Sequence, residues 1–172
     1  MPENVILVDV ADRPIGTEEK LRAHERGVLH RAFSVFIFNP LNKLLLQQRA
    51  RHKYHSGGLW TNTCCSHPRP GESTLAAAHR RLQEEMGFDT ALKEVFSFTY
   101  RVSFTNGLTE HEFDHVMVGR WTGVPRVNKA EVADYCWVTL AELQLALHKY
   151  PEQYTYWLGQ AVPRLAVALN QS

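Results

Sequence analysis

Cys65 stands two residues before His67 in the run Trp60-Thr61-Asn62-Thr63-Cys64-Cys65-Ser66-His67-Pro68, shortly after a Gly57-Gly58 turn. A thiol in that place could donate or accept a proton, and the histidine beside it could hold a metal. Adjacent residues of an extended segment point to opposite faces, so parity sets Cys65 on the side of Thr63 and His67. Cys64 then faces the other way and reads as structural. The third cysteine, in Asp134-Tyr135-Cys136-Trp137-Val138, reads as a small buried hydrophobe on a short strand.

The chain has nine histidines. His52, His55, His79, His111, His115 and His148 lie among charged or loop residues and read as surface positions. His24 follows a short helix and His30 opens a strand; either alone would be an ordinary structural histidine. Together with His67 they could form a three-nitrogen cluster, a common site for a divalent transition metal. In Glu110-His111-Glu112 a spacing of two puts both carboxylates on one face of a strand. A solvated strand face would explain the pair, but Asp114 continues the same parity. Such acids repel one another unless a cation or protons neutralise some of them.

A second polar set is Arg80 with Glu84 and Arg81 with Glu85, both spaced i, i+4. Surface ion pairs worth on the order of tenths of a kcal/mol are one reading, and on spacing alone the favoured one. The other is a carboxylate for a magnesium-bound diphosphate and an arginine for its oxygens. Arg49, Arg51 and Lys53 alternate along one face and are either a solvated strand end or further diphosphate contacts.

The elements that must position these groups follow from hydrophobic period and turn chemistry. Residues 5–10 read as a strand, Asp12-Arg13-Pro14-Ile15-Gly16 as a turn, and residues 17–23 as a short helix with Glu18 and Glu19 at its positive end. Runs 32–38 and 43–49 flank Asn39-Pro40-Leu41-Asn42 and predict a hairpin. Leu75, Ala78, Leu82 and Met86 fall at helical spacing between a Ser73 cap and Gly87. Runs 95–104 and 108–121 flank Thr105-Asn106-Gly107, a second hairpin. A strand over 135–138, a helix over 140–150 ended by Pro151, and a helix over 155–169 broken or kinked by Pro163 complete the chain. Trp60, Trp121 and Trp137 read as core residues. The architecture expected is α+β: a mixed or antiparallel sheet core flanked by helices.

At 172 residues and 44% hydrophobic, residues 1–172 make one domain. With 19 basic and 18 acidic side chains there is no broad basic field for nucleic acid or an anionic membrane, so an anionic small molecule must be gripped locally. The start, Met1-Pro2-Glu3-Asn4, does not read as a secretion signal, and no apolar run is long enough to span a bilayer. An odd number of cysteines, two of them adjacent, is ill suited to a strain-free disulfide and predicts a reduced, cytoplasmic protein. No obligatory protein partner is evident.

Glu72, Arg80, Leu82, Glu84, Glu85, Gly87 and Phe88 stand at the mutual spacings of the Nudix box, a motif that handles diphosphates. Ser66 replaces its usual first glycine. Arg81 replaces the glutamate after the motif's arginine, one of the acids by which hydrolases of that superfamily hold metal. Those departures, with Glu19-Lys20-Leu21-Arg22-Ala23-His24, Leu29-His30-Arg31-Ala32-Phe33, the 60–68 block, Tyr100-Arg101, Glu110-His111-Glu112 and Tyr156-Trp157, resemble the type I isopentenyl-diphosphate delta-isomerases over nearly the whole length. The resemblance implies a Nudix-like fold and Cys65 and Glu112 as catalytic thiol and carboxylate, with Tyr100 bonded to the latter. It further implies a divalent ion (Mn, Zn or Mg) held by His24, His30, His67, Glu110 and Glu112, and a Mg ion carried with the substrate diphosphate at Glu85. Lys20, Arg49, Lys53 and Arg81 would meet the diphosphate, and Trp157 the hydrocarbon. The implied substrate is a small allylic or homoallylic diphosphate, and hydrolysis of a diphosphate metabolite is the alternative.

Overall fold

The structure, a computed structural model, describes residues 2–171; Met1 and Ser172, the ends of the expected domain, lie outside them. Strands β1 (Asn4–Val8) and β2 (Pro14–Glu19) pair antiparallel at one side of the sheet. β1 stops short of the expected residue 10 because the Asp9 carboxylate accepts the backbone N–H groups of Ala11 and Arg13, bending the chain into a turn. The first helix is displaced by three residues from the expected 17–23. Thr17, Glu18 and Glu19 pair with β1, and α1 runs Lys20–Arg26. Glu19 is not in its first turn but caps it, accepting from the N–H groups of Leu21 and Arg22.

The centre departs from a simple hairpin. β3 (His30–Phe38) and β4 (Lys43–Arg49) register only at Phe38 and Leu44, then diverge. β3 runs parallel to β8 (Thr109–Arg120) from His30–Glu112 to Phe38–Arg120, whereas β4 pairs antiparallel with β9 (Val132–Thr139). The wedge between them is filled by the 60–66 run: β5 (Trp60–Thr61) adds to β4 and β6 (Cys64–Ser66) to β3. Between the two short strands, buried side chains replace the missing ladder. Thr63 Oγ1 donates to the Leu45 carbonyl at 2.7 Å and accepts the Ile37 N–H at 3.0 Å. Asn62 Nδ2 donates to the carbonyls of Val35 and Cys64, and Gln47 Nε2 to that of Thr63. This wedge carries Cys65 into the middle of the molecule.

β7 (Leu92–Ser103) and β8 form the expected hairpin around Asn106-Gly107. The sheet is mixed and both faces are covered. Phe33, Val35, Ile37 and Leu45 pack with Ala77, Ala78, Leu82 and Met86 of α2 (Thr74–Met86). Phe36, Phe38, Leu44 and Leu46 pack with Leu143 of α3 (Leu140–Lys149) and with Leu158, Ala161, Val162 and Leu165 of α4 (Tyr156–Asn170). This is the α+β arrangement expected, and α2 is capped by Ser73 and closed by Gly87 as predicted. Leu75, expected in its apolar stripe, is 46% exposed, and Ala77 takes the core position. α4 passes through Pro163 without a break. The proline is exposed, and the carbonyl its missing N–H would have met belongs to partly exposed Gly159. Trp60, Trp121 and Trp137 are partly buried against the two clusters. No helix among the described residues is long and apolar enough to cross a membrane.

Candidate active site

Four elements bring His24, His30, His67 and Glu112 together, each offering a ligand atom within 4.8 Å of the others, all buried. His30 and Glu112 are register partners on β3 and β8, His67 follows β6, and His24 comes from α1. Backbone carbonyls fix two of the rings: Nδ1 of His24 donates to Lys20 O at 2.7 Å and Nδ1 of His30 to Val28 O at 2.9 Å. That turns each Nε2 inward, buried and without a hydrogen-bond partner, a lone pair on His24 and, on His30, a nitrogen 3.4 Å from Glu112 Oε1. His67 Nε2 lies 2.8 Å from Glu112 Oε1. Burial, reinforced by His67, lowers the His24 pKa to about 4, and burial lowers that of His67. Both rings are therefore neutral and ready to coordinate. Burial opposes charge on His30 too, but Glu112 overcomes it and holds its pKa above the ordinary value. Burial likewise opposes ionisation of Glu112, yet His67 and His30 pull it well below the usual carboxylate range. Three imidazoles converging on an ionised carboxylate suit a divalent metal, which would replace the protons that His30 and His67 direct at Glu112.

Tyr100 is the register partner of Glu112 on β7 and lies on the same face. Its hydroxyl donates to Glu110 and, at 2.8 Å, to Glu112 Oε2. Glu110 and Glu112 are buried, so they are not a solvated strand face. Asp114 is buried on the same face, where burial and the charge of Glu112 push its pKa well above the ordinary value. Ser34 Oγ donates to it at 2.7 Å. The stacked acids thus escape mutual repulsion through a proton on Asp114 and the charged His30 ring at Glu112.

One expectation is corrected outright. His55 is not a surface residue: it is 8% exposed, with Nε2 3.0 Å from Glu110 Oε2. His24, His55 and Glu110 form a second group of potential metal ligands. The irregular segment 50–59 folds inward because Gly57 lies against Arg51, where a Cβ would meet the Arg51 carbonyl oxygen at 2.5 Å. His115 is also partly buried, its ring between Asp12 and Glu94.

A cleft enclosing about 590 Å³, part of it open to solvent, joins these groups to the rest of the expected site. Cys65, His67, Tyr100, Glu110, Glu112 and Trp157 line it, and so do Lys20, Arg49, Lys53, Arg81 and Glu85. His24 and His30 lie fully buried behind it. Cys65 packs on the α4 side and reaches the cleft; Cys64 is buried under α2. The parity reading of the two cysteines therefore holds. Burial pushes the Cys65 thiol up to about 12, with Arg49 opposing. Trp157 donates through Nε1 to Asn62 Oδ1 at 3.2 Å, and the Arg49 guanidinium sits 5.3 Å from its ring centroid. Ser34, Gln47 and Tyr54 also line the cleft, although no sequence pattern singled them out.

The basic residues are held ready by acids. Arg80 pairs mainly with Glu72, at 2.8 Å, rather than with Glu84. Arg81 reaches Glu84 and Glu85 at 2.6 Å and Glu131 at 3.1 Å. Glu85 accepts from Gln47 through its other oxygen at 2.8 Å. Arg51 is exposed and apart from this set. Glu131, which the sequence did not flag, ties Lys53 to Arg81. Burial opposes its charge, but Lys53 and Arg81 lower its pKa from 4.5 to about 2. A depressed carboxylate contributes stability that is present above its unfolded pKa and lost as pH falls through the folded one. Glu131→Gln is therefore expected to lose about 1–2 kcal/mol near neutral pH. The deficit should shrink between about pH 5 and pH 2 in thermal melts, and a deficit constant across that window would exclude the ion pair as its source.

The NUDIX domain family profile matches residues 28–158. A protein of Aromatoleum aromaticum named isopentenyl-diphosphate Delta-isomerase 2 is 53% identical over 165 residues, covering 96% of this chain and 87% of the relative. The isopentenyl-diphosphate Delta-isomerase of Serratia proteamaculans is 54% identical over 157 residues, 91% of this chain and 88% of its own. A solved Deinococcus radiodurans structure shares the fold at 19% identity, with a TM-score of 0.79 over 94% of this chain and 98% of its own. The MutT protein of Methanosarcina mazei does so at 17% identity and a TM-score of 0.66, over 79% of this chain and 91% of its own. A profile covering most of the chain and relatives identical at half its positions place it: the chain belongs to the Nudix superfamily and, within it, to the type I isopentenyl-diphosphate Delta-isomerases.

Proposed function

We infer that the chain interconverts isopentenyl diphosphate and dimethylallyl diphosphate in isoprenoid biosynthesis. The observation that carries this reading is one cleft presenting a half-buried thiol, Cys65, and a buried carboxylate, Glu112, from different strands, with cationic side chains beside them. Moving the double bond requires a proton at the terminal carbon, giving a tertiary carbocation, and loss of a proton from the carbon on the diphosphate side. A thiol and a carboxylate facing the flat intermediate from opposite sides provide both transfers, and reversibility exchanges their roles with direction.

An alkene is a weak base, so its proton donor must be strong. A divalent cation held by His24, His30, His67, Glu110 and Glu112 would stabilise the negative charge that proton transfer leaves on Glu112 and on Tyr100, whose buried hydroxyl keeps its proton beside the ionised carboxylate. Mn, Zn and Mg all suit a mixed imidazole and carboxylate shell. Tyr100, bonded to both glutamates, orients Glu112 and can relay its proton. Lys20, Arg49, Lys53 and Arg81 take the diphosphate oxygens, and Glu85 would hold a Mg ion carried with the diphosphate. Trp157 presents its ring to the hydrocarbon. That this ring already receives the Arg49 guanidinium supports its fitness for a cationic intermediate, worth about 1–2 kcal/mol when desolvated. The three unpaired thiols suit a reducing compartment, the cytoplasm.

Incubation with isopentenyl diphosphate and a divalent metal in deuterated water is expected to yield dimethylallyl diphosphate carrying deuterium. Release of phosphate or pyrophosphate without isomer would overturn this reading in favour of hydrolysis.

A further inference from the structure

We propose that His55 is a fourth imidazole ligand of the divalent cation, closing its shell on the side of Glu110. The proposal rests on the cation reading above and extends it to a residue outside the ligand set that the family resemblance implies.

The two candidate ligand groups, His24 with His30, His67 and Glu112, and His24 with His55 and Glu110, have His24 in common. Its Nδ1 is engaged with the Lys20 carbonyl, so only Nε2 can coordinate, and one imidazole nitrogen serves one ion. We therefore place both groups around one ion; their donors do not all lie within 4.8 Å of one another, so the shell closes by small side-chain shifts on binding. Neighbouring donors on an ion with bonds of about 2.1 Å stand about 3 Å apart. His55 Nε2 and Glu110 Oε2 are separated by 3.0 Å, His67 Nε2 and Glu112 Oε1 by 2.8 Å, and His30 Nε2 and Glu112 Oε1 by 3.4 Å.

The His55 ring is held for this task. It stacks on Phe104 with centroids 4.7 Å apart and an interplanar angle of 8°, meets Trp157 and Tyr54 edge-on, and lies 5.6 Å from the His24 ring. Its Nδ1 lies 3.2 Å from Ser56 Oγ, which leaves Nε2 for the ion. With His55 included the shell has four imidazole nitrogens and two carboxylates, enough to complete an octahedron without water or substrate. Such a nitrogen-rich set selects borderline transition metals over Mg. It also keeps the ion off the diphosphate and confines its influence to Glu110 and Glu112.

The full chain loaded with Co²⁺ tests this by proton NMR in water, where each coordinated imidazole with a ring N–H gives one exchangeable, paramagnetically shifted resonance. Four such resonances are expected in the wild type and three in His55→Gln. The variant should also bind Co²⁺ at least about tenfold more weakly in competition with a chelating dye. Three resonances in the wild type would overturn the proposal, whatever the variant's affinity, and would leave His55 as a positioning partner of Glu110. The wild-type count does not depend on how the variant folds. Failure of the wild type to bind Co²⁺ would overturn the cation reading itself, a distinguishable result.

Discussion

Cys65→Ala is expected to lower kcat by about 10²–10⁴-fold, the range ordinarily carried by a positioned proton-transfer group. Cys64→Ala should retain most of the turnover. The two residues are chemically identical and adjacent, so the contrast tests geometry alone. β6 pairs Cys65 with Ser34 and Cys64 with Val35, which sends their side chains to opposite faces of the sheet. Cys65 enters the cleft shared with Tyr100, Glu112 and Trp157. Cys64 is fully buried in the cluster of Phe33, Ala77 and Leu82. Its truncation removes one buried sulfur and should appear as a loss of about 1–2 kcal/mol in stability rather than in rate. Steady-state kinetics and thermal melts on both variants separate the effects. Comparable rate losses at both cysteines would show that the assigned facing is wrong.

The facing of Cys65, Glu110 and Glu112 was legible because all three lie on strands, where a period of two assigns each side chain to a face before any tertiary structure is known, whereas Tyr100 came from the family resemblance. The α2 helix was legible for a similar reason: Ser73, the helical spacing and Gly87 all specify the same element. His55 and Glu131 were not. Both lie in irregular segments, where no period dictates which way a side chain turns. Their burial depends on contacts distant in sequence: Phe104 against the His55 ring and Lys53 reaching Glu131. The divergence of β3 and β4 was hidden because its cause, the buried Asn62 and Thr63, consists of polar residues whose burial no hydrophobic period signals. At α1 the error came from Glu19, an acid that reads as a first-turn residue but acts as the cap.

The second large effect is expected at Glu112, where Glu112→Gln should abolish turnover and weaken binding of the divalent metal together. Its two oxygens do different things. Oε1 faces His67 Nε2 at 2.8 Å and His30 Nε2 at 3.4 Å, while Oε2 accepts from the Tyr100 hydroxyl at 2.8 Å. Glutamine keeps the size and can still accept from Tyr100, so packing is preserved. It cannot supply the negative charge that balances the imidazoles when a cation is absent, nor the titratable proton the alkene requires. Removing one partner of a buried ion pair would ordinarily cost about 3–5 kcal/mol. Here the loss should be smaller, because His30 can give up its proton once the carboxylate that raises its pKa is gone. Tyr100→Phe separates the two roles: it removes the hydroxyl bonded to both glutamates and leaves every proposed ligand in place. Metal content in that variant should stay near one ion per chain at the histidine site, with a rate loss of about tenfold to a hundredfold, below the full effect of an acid–base group. Glu112→Gln should lose about 10²–10⁴-fold in rate even under saturating metal, with metal affinity down by about tenfold to a hundredfold. Recovery of wild-type turnover in Glu112→Gln at high metal would reduce Glu112 to a ligand and move the proton transfer to Tyr100, whose hydroxyl reaches the cleft from the same face.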